Sequence, residues 1–165
     1  MSIVCCKIYE NQIEFAADSR VTCWGDETEA TFDFSKLIEV NGMIIGGVGE
    51  CDEMSLMWNY ATTHLVDTPD EKSVLNFVVE FMRWKQDLIG KSSIHNHYLL
   101  GVKGKVFCIR GAMVFEVHDY YAIGSGGSYA KTALYFDHTP KESVEVACAL
   151  CETCGYPIVE KVMMK

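Results

Sequence analysis

Asn41-Gly42 stands between two apolar runs in the stretch KLIEVNGMIIGGVG, and no other dipeptide constrains the chain as much. A type I′ turn needs φ > 0 at both central residues, which Asn-Gly tolerates, so the runs are predicted to pair as a β-hairpin. A two-residue connection joins only antiparallel neighbours. Ile3 to Tyr9 and Gln12 to Ala17 read as strands around a polar ENQ turn, so the first fifty residues are mostly sheet. The middle of the chain repeats the theme with HYLLGV, a Lys103-Gly104 turn, KVFCIR, AMVFEV and YYAIGS. A last strand, IVEKV, closes the chain.

Helical signals fall in two groups. Met54, Met57, Trp58, Ala61 and Leu65 recur at helical spacing. Thr68-Pro69-Asp70-Glu71 has the pattern of a capping box with Pro at the first helical position. Behind it Val74, Phe77, Val78, Phe81, Met82 and Leu88 form an apolar stripe that Gly90 ends. The second group is the short GSYAKTALYF and then TPKESVEVACALCETCG, whose own capping box runs from Thr139 to Glu142 and which is predicted to stop at Gly155. Strands grouped with strands and helices with helices predict an α+β fold of antiparallel sheets. At 165 residues the chain is expected to be one domain, 1–165, with a sizeable core.

Hydrophobic residues make up 49 % and charged residues 22 %, an ordinary globular composition. The formal net charge of -9 argues against nucleic acid as a partner, since tracking phosphates needs clustered Lys and Arg. No apolar run reaches the ~18 residues of a membrane span, and no basic-then-apolar leader opens the chain. Eight cysteines mixed into strand and helix patterns then read as reduced thiols in a cytoplasmic setting. Cys148, Cys151 and Cys154 have the look of a metal run, but they fall at helical spacing beside Val144 and Ala147, where cysteine serves as a small core residue. His95 and His97 share one face of an expected strand without a visible third ligand, so no metal is expected. Gly124 to Gly127 lacks the lysine of a phosphate loop and reads as a helix entry, and no cofactor is implied.

Chemistry concentrates in three segments. Removal of Met1 would make Ser2 a first residue carrying both a hydroxyl and an α-amine. A serine hydroxyl is a weak nucleophile that needs an adjacent base. An α-amine, with an unperturbed pKa of roughly 7.7–8.0, is a competent base near neutrality, and a neighbouring ammonium lowers that value further. AADSRVT supplies Asp18, Ser19 and Arg20, and SKLIEV supplies Lys36. Taken alone, Asp18 and Lys36 also fit an ordinary structural ion pair.

These segments, in this order, resemble the proteasome β-type N-terminal-nucleophile (Ntn) hydrolases, and most of all the bacterial HslV peptidases in size and in the expected lack of a propeptide. The family opens on Thr and a strand, and its AADSR-T segment places Asp sixteen positions after the nucleophile. Asp18 lies sixteen positions after Ser2. Lys36 to Asn41 matches the family's K-I-E-N strand, Gly46 to Gly49 its glycine-rich oxyanion segment, and Gly124 to Ala130 its GSG-YA helix entry.

The resemblance implies a four-layer αββα sandwich and amide hydrolysis through an acyl-enzyme. It implies Ser2 as nucleophile, Lys36 tuning its amine, Asp18 orienting Lys36 and Ser125 supporting the amine. It also implies a backbone N–H near Gly49 as oxyanion donor, with Glu50 the alternative by ungapped counting, and Gly47 and Arg20 in support. Peptide substrates, self-association into stacked rings (a dodecamer in the HslV pattern) and an ATP-dependent unfoldase follow from it as expected partners. Two positions depart from the pattern. Serine replaces threonine and loses the methyl that restrains the hydroxyl rotamer. TCGYPI offers Cys154 and Pro157 where the family often has Asp and Ser or Thr, so the supporting shell is expected to be absent or altered. The alternatives are a catalytically inactive subunit of the same fold, acting as a structural or interaction module, and an Ntn amidase acting on a small molecule.

Overall fold

The computed structural model describes residues 2–23, 26–28 and 34–165. The amino-terminal half contains β1 (Ile3–Ile8), β2 (Gln12–Asp18), β3 (Val21–Cys23), β4 (Asp26–Thr28), β5 (Leu37–Val40), β6 (Met43–Val48), α1 (Cys51–Ala61) and α2 (Glu71–Ile89). The second half adds β7 (His97–Val102), β8 (Lys105–Arg110), β9 (Met113–Val117), β10 (Tyr120–Gly124), α3 (Gly127–Tyr135), α4 (Pro140–Leu150) and β11 (Ile158–Met164). One sheet has the order β10-β1-β2-β11, the other β5-β6-β7-β8-β9, and every pairing is antiparallel. The Asn41-Gly42 turn joins β5 to β6 with φ of 50° and 73°. Among the described residues no helix is long and apolar enough to cross a membrane.

Three separate cores stack these elements into an αββα sandwich. Met54, Met57, Tyr60, Phe77 and Phe81 of α1 and α2 pack on Ile45, Tyr98, Leu100 and Phe107 of the five-stranded sheet. Val4, Cys6, Phe15, Ile44, Leu99 and Val106 fill the space between the sheets. Ile3, Cys5, Ala16 and Ala122 meet Ala130, Leu134, Val144 and Ala147 of α3 and α4. Because β1 lies inside this stack, both of its faces are buried: Ile3 and Cys5 point to the helices, Val4 and Cys6 to the other sheet. The cysteines of IVCC are therefore core residues. Gly46 and Gly47 serve close packing on opposite faces of β6. A Cβ at Gly46 would lie 2.5 Å from Val4 Cγ1, and one at Gly47 would lie 2.9 Å from Met54.

Several local expectations need correction. Helix α1 ends at Ala61, where the Thr62 and Thr63 N–H groups fold back onto Asn59 O and Tyr60 O. Leu65 lies beyond it and is exposed. The N-cap of α2 is Asp70, whose carboxylate accepts the Ser73 N–H; Thr68 instead donates its hydroxyl to Asp70. Leu88 is exposed, and the inward position toward that end of α2 belongs to Lys85. Helix α4 has the expected Thr139–Glu142 capping box but stops at Leu150. A helix reaching Gly155 would spend the Gly155 N–H on Cys151 O, whereas here Asp18 takes it. His95 precedes β7, so it shares no strand face with His97. The β3–β4 ribbon had no distinct signal in the sequence.

One charged pair lies inside the helix-covered side. Lys85 Nζ is 2.8 Å from Glu53 Oε2, and each residue is 3 % exposed. Removing one partner of such a pair strands the other charge in a poorly solvating interior. Lys85→Met is expected to cost about 3–5 kcal/mol, seen as a lower urea midpoint at unchanged slope.

Candidate active site

The strand register builds the site. Val4 pairs with Ala17 and Ile3 pairs with Gly124, so the start of β1, the end of β2 and the end of β10 share one edge of their sheet. Ser2, Asp18 and Ser125 sit there together. Residue 36, just before β5, brings a lysine from the other sheet to the same place, and Lys36 Nζ donates to Asp18 Oδ1 at 2.7 Å.

Asp18 is fully buried and its carboxylate is saturated. Oδ1 accepts the Ile3 N–H (2.9 Å) besides Lys36. Oδ2 accepts the Arg20 N–H (3.2 Å) and the Gly155 N–H (3.1 Å). Buried charge persists only with such compensation. Lys36, 2 % exposed, also donates to Arg20 O. Arg20 thus serves the pair through its backbone on both sides, while its guanidinium donates to Glu152 O and its side chain lies against Gly155.

Ser2 is buried, and its backbone N–H donates to Ser125 Oγ at 3.1 Å. The Gly126 N–H donates to Ser2 O at 3.3 Å. The turn entering α3 can approach so closely because residue 124 is glycine: a Cβ there would lie 2.1 Å from Ser2 O. A small pocket is lined by Ser2, Arg20, Val21, Lys36, Gly49, Cys51 and Met54. Gly49 faces this pocket, while Gly47 stands a step behind it, donating its N–H to Lys36 O at 2.9 Å. Glu50 is not among the lining residues, and its N–H is taken by Asn96 Oδ1 at 2.6 Å. Met1 lies outside the described residues.

The sequence reading missed Thr153. Its hydroxyl lies 2.7 Å from Ser125 Oγ and 3.1 Å from Cys151 Sγ, extending the polar chain that starts at Ser2 N. A hydroxyl therefore backs Ser125, from the residue before Cys154. The available clue was topological. A last strand paired with β2 must be entered through a loop that passes Asp18, and that loop is residues 151–157.

The cysteines around this loop divide. Burial pushes the Cys154 thiol up to about 12 and the Cys148 thiol up to about 11, with the Asp18 carboxylate adding to both. Burial also acts to raise Cys151, but hydrogen bonding to Thr153, Cys154 and Ser125 outweighs it and the net shift is downward.

No protein-family model matches the sequence, and no curated protein matches it either. Solved structures do match in shape. BPH from Thiobacillus denitrificans superposes with a TM-score of 0.86 at 18 % identity, covering 98 % of this chain and 97 % of that one. The same protein in complex with epoxomicin gives 0.84 at 20 % identity, over 98 % of each chain. Eukaryotic HslV from Trypanosoma brucei gives 0.75 at 17 % identity, over 99 % of each chain. The chain has the proteasome β-type fold. Within that fold, the edge holding Ser2, Asp18, Lys36 and Ser125 places a buried, fully hydrogen-bonded carboxylate beside the small pocket that Ser2 and Lys36 line.

Two outcomes follow from the site as built. Asp18→Asn turns an acceptor of four donors into a group that must itself donate, and is expected to cost about 3–5 kcal/mol, measured by urea unfolding. Iodoacetamide at neutral pH is expected to alkylate Cys151 ahead of Cys5, Cys6, Cys148 and Cys154, read by peptide mass spectrometry.

Proposed function

We propose that the chain is a peptidase subunit of the proteasome type, with Ser2 as its N-terminal nucleophile once Met1 is removed. The observation that carries this reading is the convergence of Lys36, Asp18 and Ser125 on Ser2 from three strand ends. The nitrogen that would become the free amine already lies within hydrogen-bond distance of Ser125 Oγ.

In this mechanism the Ser2 amine takes the hydroxyl proton as Oγ attacks the scissile carbonyl carbon. The C–O bond forms, the carbonyl electrons move to oxygen, and an N–H of the glycine-rich turn holds that oxyanion. Preorganised donors of this kind are often the largest single catalytic contribution. The C–N bond then breaks and the amine returns its proton to the leaving nitrogen. Water attacks the resulting ester with the same amine as base, releasing the acid and restoring Ser2. Lys36 keeps positive charge beside the amine, favouring its neutral, proton-accepting form. Asp18 holds Lys36 in place, and Ser125, backed by Thr153, orients the amine.

The single domain 1–165 would assemble into stacked homo-oligomeric rings in the cytoplasm, enclosing peptide substrates fed by an ATP-dependent unfoldase. The likeness to HslV supports that assembly.

Intact-mass measurement of the purified protein is expected to show a chain beginning at Ser2. Incubation with epoxomicin, which a structural neighbour binds, is expected to add one inhibitor mass to the peptide containing Ser2. Ser2→Ala should abolish both the adduct and the cleavage of small fluorogenic peptides. A Ser2→Ala protein cleaving at the wild-type rate overturns the serine mechanism, and a mature chain that retains Met1 favours the inactive-subunit alternative.

A further inference from the structure

Behind the pocket lies a polar cluster that the mechanism above does not use. Asn96, in the segment before β7, is 1 % exposed and clasps the backbone of a single residue. Its Oδ1 accepts the Glu50 N–H at 2.6 Å and its Nδ2 donates to Glu50 O at 2.8 Å. Glu50 directly follows Gly49, which has φ +130° and would place a Cβ 2.0 Å from Asn96 Oδ1. The Asn96 amide is thus pressed against the Gly49 backbone while it holds the next residue by both of its polar groups. Few side chains can hold a turn this way, since it takes one acceptor and one donor on a short rigid stem.

Asn96 is itself held. Its backbone N–H donates to Glu53 Oε1 at 3.0 Å, and the His95 N–H to Glu53 Oε2 at 3.2 Å. Tyr98 Oη donates to Oε1 at 3.3 Å, and Lys85 Nζ completes the set at 2.8 Å. Glu53 lies in the first turn of α1, three residues after Glu50, so the cluster locks this turn to both helices and to the start of β7. With the Glu50 N–H spent on Asn96, Gly49 is the residue of this turn that faces Ser2 and Lys36 across the pocket.

We propose that Asn96 is a positioning residue that fixes the Gly49–Glu50 turn so that the Gly49 N–H serves as the oxyanion donor. The inference rests on the peptidase reading given above. A donor held in place before the reaction needs no reorganisation when negative charge develops on the substrate oxygen, which is where such donors gain their effect. Asn96 touches neither substrate nor nucleophile, so it acts only through the turn.

The test uses the full chain beginning at Ser2, with a fluorogenic tripeptide amide as substrate and epoxomicin to count working sites. Asn96→Ala is expected to lower kcat per titrated site by about 10- to 100-fold, with KM changed less than about threefold. A tripeptide aldehyde, whose adduct carries the oxyanion, should bind more weakly by the same factor as kcat/KM falls. The matching tripeptide alcohol, which forms no adduct, should bind unchanged. Asn96→Asp keeps the oxygen that accepts the Glu50 N–H and removes the donor to Glu50 O; it should show a smaller loss with the same proportionality, and it carries the test if Asn96→Ala does not fold. Fewer titrated sites at unchanged kcat per site, or equal weakening of aldehyde and alcohol, overturns the positioning role. So does unchanged or raised turnover, because Asn96 would then be idle or would be withholding the Glu50 donor. A wild-type protein beginning at Ser2 that neither labels nor cleaves overturns the peptidase reading, and this inference with it; an active wild type with an unaffected Asn96→Ala overturns the inference alone.

Discussion

The ion pair between Asp18 and Lys36 is the contact on which the rest of the site depends. It joins the two sheets at one edge, since Asp18 ends β2 and Lys36 precedes β5. A carboxylate with no solvent exposure survives as an anion only if its oxygens are fully engaged. Meeting that demand draws in three backbone segments: the start of β1 through Ile3, the turn after β2 through Arg20, and the approach to β11 through Gly155. Each of those segments also carries a functional candidate or its support. The charge is thus an organising centre: relaxing any one of its four bonds would loosen Ser2, Lys36 or the Thr153 loop at the same time.

Layering makes that centre possible. With β1 sandwiched between α3–α4 and the opposite sheet, its side chains are fixed on both faces, and residue 2 emerges at a rigid strand end. Small residues permit the tight fit. Gly46 admits Val4 between the sheets, Gly47 admits Met54 from α1, and Gly124 admits the Ser2 carbonyl. Any side chain at these places would push apart the surfaces that define the pocket. The glycine-rich stretches are therefore read better as close-approach points than as flexible ones.

Much of this was legible in the sequence because it rests on local rules. The Asn41-Gly42 and Lys103-Gly104 turns follow from residue chemistry, and both have φ > 0 at each position. The two-group order of strands and helices gave the αββα layers once the family pattern was joined to it. Helix ends were harder. Thr68 and Asp70 are both good caps, and the choice between them went to the residue whose carboxylate reaches the Ser73 N–H. At α4 the expected extension to Gly155 is excluded at a distance, because Asp18 holds the Gly155 N–H. Thr153 and Asn96 share that origin. Neither belongs to a periodic pattern, and each matters through hydrogen bonds to a residue more than twenty positions away, Ser125 for Thr153 and Glu50 for Asn96.

The fold carries a second buried lysine–carboxylate pair, and comparison with the first shows what such pairs do here. Glu53, like Asp18, accepts one lysine Nζ and three further donors. Both carboxylates gather backbone N–H groups from segments that have no regular partner at that point: Ile3, Arg20 and Gly155 in one case, His95 and Asn96 in the other. Replacing either pair by apolar residues of equal volume would leave those N–H groups buried and unbonded, so packing alone could not substitute. The two pairs flank the pocket from opposite layers. One fixes the strand end that bears Ser2, the other the turn that bears Gly49. The distance between Ser2 and the Gly49 turn is therefore set by two charge-saturated clusters joined through β5 and β6, which are paired from Leu37–Gly46 to Val40–Met43. A geometry defined by ion pairs at both ends and a sheet between them leaves little freedom to Ser2 and the Gly49 turn, the condition that the proposed chemistry would require of a preorganised site.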